Sequence, residues 1–246
     1  MSHKESESRL TMEKKLQKIM QFLKIRKIEV AVAIFLGIAT LLVAWAGWIG
    51  GLHDGNQASN YTMSNNLAAE GNAEYNVAAQ IYISDMFTWN TIANLKLDLD
   101  AAKEKGDTSE VKVIKTKIEK IKQNNCSPKL LEAMNKAEAE GNTSSPFENE
   151  EFATSYFQDA QKLLEESQKA LEEGEIDNQR SDSYQLASVL YALVLFLLGI
   201  IGVLKDYHSR KIILIFSICI LVFAFIYMLT IPMPTGFDIT NFFNNR

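Results

Sequence analysis

The chain has 246 residues, a net charge of −5 and a mean hydropathy of −0.06. That length suits one or two domains, no nucleic-acid partner is expected, and the mean hydropathy would pass for a soluble protein. The mean conceals three apolar blocks, so solubility does not follow from it.

Residues 1–27 carry eight Lys and Arg against three Glu. The first nine read as unstructured. Met12, Leu16, Ile19, Met20 and Leu23 then recur at helical spacing opposite Lys14, Lys15, Lys18 and Gln21. This basic amphipathic segment suits either the anionic inner leaflet or a coiled-coil or other partner helix. Val30 to Leu52 is an uncharged run with Thr40 as its one polar side chain. A bilayer core of about 30 Å needs about 20 helical residues, so a first transmembrane helix is expected over 28–52. No Ala-x-Ala-like cleavage site follows it, and it reads as a retained span rather than a signal peptide. Small residues at Ala33, Gly37, Thr40, Ala44, Gly47 and Gly51 share one face, and such faces let helix backbones approach closely in lipid. The face could meet the other spans of this chain, with Gly199 and Gly202 as counterparts, or a second copy. Trp45 and Trp48 suit the outer interface.

Residues 53–185 hold 13 basic and 24 acidic groups, a balance of −11, and residues 53–72 have no Lys or Arg. Gly106 closes one helix, and Asp107 to Glu110 opens another with capping-box spacing. Ser127-Pro128 and Ser145-Pro146 each place an N-cap before a first-turn proline, and Gly141 ends the helix between them. Four helices are expected, over 54–105, 108–125, 128–140 and 146–185. Tyr61, Ala68, Tyr75, Tyr82 and Trp89 recur every seven residues, a coiled-coil pairing stripe with partners three or four residues on at Ser64, Ala78, Met86, Ile92 and Ala93. Its expected partner is the apolar side of the fourth helix, which includes Phe152, Tyr156 and Leu164. An aromatic stripe of this kind could also form a ligand groove.

Leu186–Leu204 and Ile212–Ile231 are the second and third expected spans, joined by a loop over 205–211 with three Lys or Arg and one Asp. Positive flanks stay inside. The reading is therefore a plasma-membrane protein with residues 1–27 and 205–211 cytoplasmic, and 53–185 and the tail over 232–246 extracytoplasmic. The fold class is an all-α membrane protein, with three transmembrane helices and a helical-hairpin stalk domain inserted between the first and second.

Motifs for chemistry are sparse. His3, His53 and His208 fall in a tail and at two opposite membrane boundaries, and no CxxC, HExxH, P-loop, GxGxxG or GxSxG occurs. The spans carry no charged residue of the kind proton relays and ion-coupled carriers use. Cys126 reads as a small half-buried hydrophobe, with intermolecular pairing as the other possibility. Catalytic residues, metal ligands and cofactors are not expected, and neither is an enzyme.

Three stretches together resemble a known group. They are Val43-Ala44-Trp45-Ala46-Gly47-Trp48 with Gly55-Asn56-Gln57-Ala58; Ser145-Pro146-Phe147 before a helix rich in Ala and Glu; and Asn178 to Tyr184 running into Val189–Phe196 and Gly199-Ile200. This layout is similar to a family of uncharacterised prokaryotic three-span membrane proteins, a domain of unknown function. The resemblance covers roughly residues 30–232. It implies the same topology, and no activity or site residues. The expected role is structural: a stalk outside the membrane that assembles as a homo-oligomer or with another membrane protein. An oligomeric channel is the alternative.

Overall fold

The computed structural model describes residues 3–235 and 237. Most of the expected tail, from residue 238 on, lies outside the described residues, as do the side chains of His3, Lys4, Arg9, Lys14 and Lys18. The described elements are all helical: α1 His3–Glu104, α2 Thr108–Asn125, α3 Pro128–Glu140, a 3-10 turn Pro146–Glu148, α4 Glu150–Ser155, α5 Gln158–Ile201 and α6 Tyr207–Thr230. Helix starts at His3, inside the stretch read as unstructured. Three of the helices, α1, α5 and α6, are long and apolar enough to cross a membrane. The chain divides into two compact units, residues 1–61 with 172–246, and residues 62–171.

The first unit packs α1, α5 and α6 together. On α6 the buried residues are Leu214, Ser217, Leu221, Ala224 and Met228, in steps of three and four. They meet Tyr184, Tyr191, Val194 and Leu198 of α5, and Ala39, Ala46 and Ile49 of α1. Ala39, Ala46, Ala187 and Ala224 are all fully buried, so small side chains set the helix spacing, as packing in lipid requires. Ser217 and Thr40 donate to the carbonyls of Ile213 and Leu36, both at 2.8 Å, which satisfies each hydroxyl within its own helix. Rising numbers on α1 meet falling numbers on α5: Gly50 lies against Tyr184, His53 against Asp177 and Tyr61 against Gly174. The two helices are therefore antiparallel here.

The helix ends do not coincide with the expected bounds of the second span, 186–204, and of the loop after it, 205–211. α5 ends at Ile201, where the N–H groups of Gly202 and Val203 turn back to the carbonyls of Gly199 and Ile200. Asp206 caps α6 by accepting from the Ser209 N–H at 2.8 Å. Its carboxyl is held below the usual range by that bond, with the Ser209 hydroxyl adding to it. The connection thus narrows to 202–206.

In the second unit the sequence start and stop signals act as capping chemistry. Asp107 Oδ1 accepts from the N–H groups of Ser109 and Glu110 at 3.1 and 3.0 Å. Ser127 Oγ accepts from Leu130 N–H at 3.1 Å. Gly106 and Gly141 adopt φ of 74° and 68°, a left-handed conformation that glycine takes without the steric cost of a Cβ. The core is Ile92, Ala102, Ile114, Ile118, Leu130 and Met134, flanked by Trp89, Phe147 and Phe152.

The fourth expected helix, 146–185, is broken. Asn149 caps α4 by accepting from Phe152 N–H at 3.1 Å, and residues 156 and 157 form a turn before α5 begins. Aromatic contacts occupy the break. Tyr82 lies 5.3 Å from Phe147, 5.4 Å from Tyr156 and 5.9 Å from Phe157 between ring centroids.

Candidate functional site

The structure places the aromatic stripe of α1 along the flank of the seam with α5 and the small-residue stripe on an exposed face. In the second unit the buried positions of α1 are Ser64, Gly71, Ala78, Asp85, Thr88, Ile92 and Ala102, of which Ser64, Gly71, Ala78, Asp85 and Ile92 recur every seven residues, three on from the aromatic stripe. A Cβ on Gly71 would lie 3.0 Å from the Leu164 side chain and 3.3 Å from the Ala160 carbonyl. Backbones this close leave no room for tyrosine in the seam. Tyr75 is accordingly 50% exposed and packs beside it on Phe157, at 4.9 Å. Ala68, Tyr82 and Trp89 are half-buried. Tyr61, in the first unit, covers Gly174, where a Cβ would come within 2.5 Å of its ring.

The small face of α1 behaves differently. Ala33, Gly37, Thr40, Ala44, Gly47 and Gly51 are all exposed. A Cβ added to Gly37, Gly47, Gly51 or Gly199 meets nothing within 4 Å, and at Gly202 it meets only the Gly199 carbonyl. The face does not pack on the other spans of this chain, whose contacts fall on Ala39, Ala46, Ile49 and Gly50 instead. Continued backward in the same alternating steps of four and three, the face runs through Val30, Arg26, Leu23, Ile19, Leu16 and Met12. All twelve positions are exposed, and the large apolar ones are more than half so.

A buried polar junction joins α1, α5 and the segment after α6. His53 is 0% exposed. Its Nδ1 lies 2.7 Å from Asp177 Oδ1, its Nε2 lies 3.1 Å from the Pro232 carbonyl, and its ring stacks on Tyr184. Asn60 donates to Asp177 at 3.5 Å, and Arg180 stands 3.9 Å away. Tyr184 donates to the Ile231 carbonyl at 3.4 Å, and Gln57 to Asn178 at 2.8 Å. Both ring nitrogens of His53 face oxygen acceptors. Reading His53 as a membrane-boundary residue missed this site, because its partners lie 124 and 179 positions away.

A second node lies in the other unit. Asp85, 1% exposed, accepts from the Ser127 N–H at 2.9 Å, from the Ser127 hydroxyl, and from Tyr156 at 2.8 Å. Burial, together with this carboxylate, pushes the Tyr156 phenol upward. Cys126 beside it is half-buried, and burial first and Asp85 second raise its thiol. That environment disfavours the reactive thiolate. The node ties the N-cap of α3 to α1 and to the end of α4, which is an anchoring arrangement. Among the described residues no group of three or more His, Cys, Asp or Glu is placed to hold a metal ion.

Comparison with protein-family models, curated proteins and solved structures gives no match to the chain.

Proposed function

We propose that the chain is a non-enzymatic protein of the plasma membrane that assembles with itself along the exposed face of α1. One observation carries this reading: the twelve-position series from Met12 to Gly51 in steps of four and three, exposed throughout. A repeat averaging 3.5 residues is the pattern of paired helices. Its chemistry changes with the solvent expected at each level. Before the apolar stretch the positions are mostly Met, Leu and Ile, which gain from burial out of water. Within the stretch they are mostly Ala and Gly, which permit close backbone approach in lipid. Arg26 falls at the transition, where a long stem can carry its charge to the headgroups. Copies inserted with one orientation bring identical positions together in parallel, and α1 continues unbroken from residue 12 into the apolar stretch. That continuity supports a projecting helix over one lying on the leaflet.

Cytoplasmic placement of residues 1–27 and of the α5–α6 connection is supported by contacts that bring them to one end of the bundle. Arg210 meets Glu29 at 3.1 Å, and Lys24 lies over the Tyr207 ring at 5.9 Å. Residues 53–185 then form the extracytoplasmic helical-hairpin stalk.

Disulfide mapping in native membranes tests the assembly, using a background with Cys126→Ser and Cys219→Ser. Leu16→Cys, Leu23→Cys, Gly37→Cys and Ala44→Cys are expected to cross-link between copies, and Ile38→Cys, exposed but outside the series, is not. Equal cross-linking at all five positions, or none together with a monomer by light scattering, would sink the reading.

A further inference from the structure

We propose that the cleft between α1 and α3 in the 62–171 unit is a binding site for a compact apolar carboxylate, one aromatic ring or a short branched alkyl chain bearing a single acid group. The cleft has a volume of about 360 Å³, at the small end of the roughly 300–1,000 Å³ typical of ligand sites. Trp89, Ile92, Met134 and Ala137 give it an apolar lining. Ile92 and Met134 also belong to the unit's core, so that lining rests on packed structure rather than on a loop.

The polar side of the cleft selects the charge. Glu138 accepts from Lys122 at 2.8 and 3.0 Å through its two oxygens, and from Lys96 at 3.0 Å. Two ammonium groups on one carboxylate leave one positive charge uncompensated. Asp100 also borders the cleft and pairs with Lys103 at 2.7 Å, so Lys96, Lys103, Lys122, Asp100 and Glu138 together leave one positive charge in excess, with Lys103 and Lys122 outside the lining.

The free hydrogen-bonding capacity has the same polarity. Lys122 is buried against Glu138, whereas the Lys96 side chain is 46% exposed and uses one of its three donors on Glu138. Asn142 spends its carbonyl oxygen on the Ser144 N–H at 2.9 Å, and among the described residues its amide N–H groups meet no acceptor. The apolar lining fits the body of the ligand, and this donor-rich edge fits its acid group. An amine would meet the excess positive charge, and a neutral amide would gain no charge-assisted bond.

The test uses the full chain in lipid nanodiscs with Trp45→Phe and Trp48→Phe, so that fluorescence reports Trp89 alone. The probes are 3-phenylpropionate, 3-phenylpropionamide and phenethylamine. A saturable Trp89 response is expected with the acid, weaker by about tenfold or more for the amide and in Lys96→Gln, as loss of a charge-assisted hydrogen bond implies, and retained in Lys96→Arg. Equal or tighter binding of the amide or the amine overturns the proposal. So does the absence of a saturable response to the acid at millimolar concentration. Circular dichroism shows whether Lys96→Gln folds; if it does not, the three-probe comparison on the Lys96 protein decides.

Discussion

Glycines in the same kind of helix stand in opposite surroundings. At Gly174 an added Cβ comes 2.5 Å from the Tyr61 ring, and at Gly47 it meets nothing within 4 Å. Gly174→Ala should therefore destabilise the protein, because overpacking of about 1–3 kcal/mol outweighs a gain of at most about 1 kcal/mol in helix propensity. Gly47→Ala should leave the fold of the single chain as stable or slightly more so. Thermal unfolding by circular dichroism in one detergent compares the two, and equal losses would contradict the packing described. Neither outcome was legible in the sequence, where Gly47 looked like the packed glycine and Gly174 sat in an acidic run. The sequence tells that a residue is small; only the neighbouring helix tells what its smallness admits. His53 and Asp85 were illegible for the same reason, since their partners come from distant segments.

At the level of elements, local chemistry was readable and long-range chemistry was not. Asp107, Ser127 and Gly141 mark helix ends because each acts on backbone groups within a few residues. The break in the fourth helix combines a local cap at Asn149 with aromatic packing from α1, and the latter has no local signal. In the seam between α1 and α5, the helical spacing pointed to Ser64, Ala78 and Ile92 as partners of the aromatic stripe, and these are buried while the aromatics flank them; Gly71 and Asp85 carried no such signal, because a glycine and a carboxylate do not look like core. A charge-based link between elements makes a testable pH effect. Lys122 chiefly, and Lys96 with it, hold the Glu138 carboxyl below its ordinary value. A depressed acid contributes stability that is present above the unfolded-state value, about 4.3 for glutamate, and that is lost as pH falls through the lower folded value. Amide exchange in α3 should accelerate over that acid range in the native protein. Glu138→Gln should lack that step, and an identical acid profile in the variant would refute the link.

For the molecule as a whole, the three apolar helices and their order were plain from composition, since a run of about 20 uncharged apolar residues has few other uses. How the helices are pinned was not. His53→Leu removes the nearest partner of the buried Asp177 carboxyl and leaves it only Asn60 and Arg180, at 3.5 and 3.9 Å; breaking a buried pair costs up to about 3–5 kcal/mol. Replacing both, as His53→Leu with Asp177→Leu, should recover part of that loss. The four proteins of this cycle, compared by thermal unfolding, should be non-additive; strict additivity would mean that the pair does not act as a unit.

The contact between His53 and the Pro232 carbonyl also has a bearing on biogenesis. Ribosomes make His53 before Asp177, and the carbonyl that completes the junction follows α6. Until that helix is finished, the His53 ring lacks its second acceptor, and the Tyr184 hydroxyl lacks the Ile231 carbonyl. A chain cut before Ile231 thus carries its own mark of incompleteness, an open polar site that the segment after α6 closes.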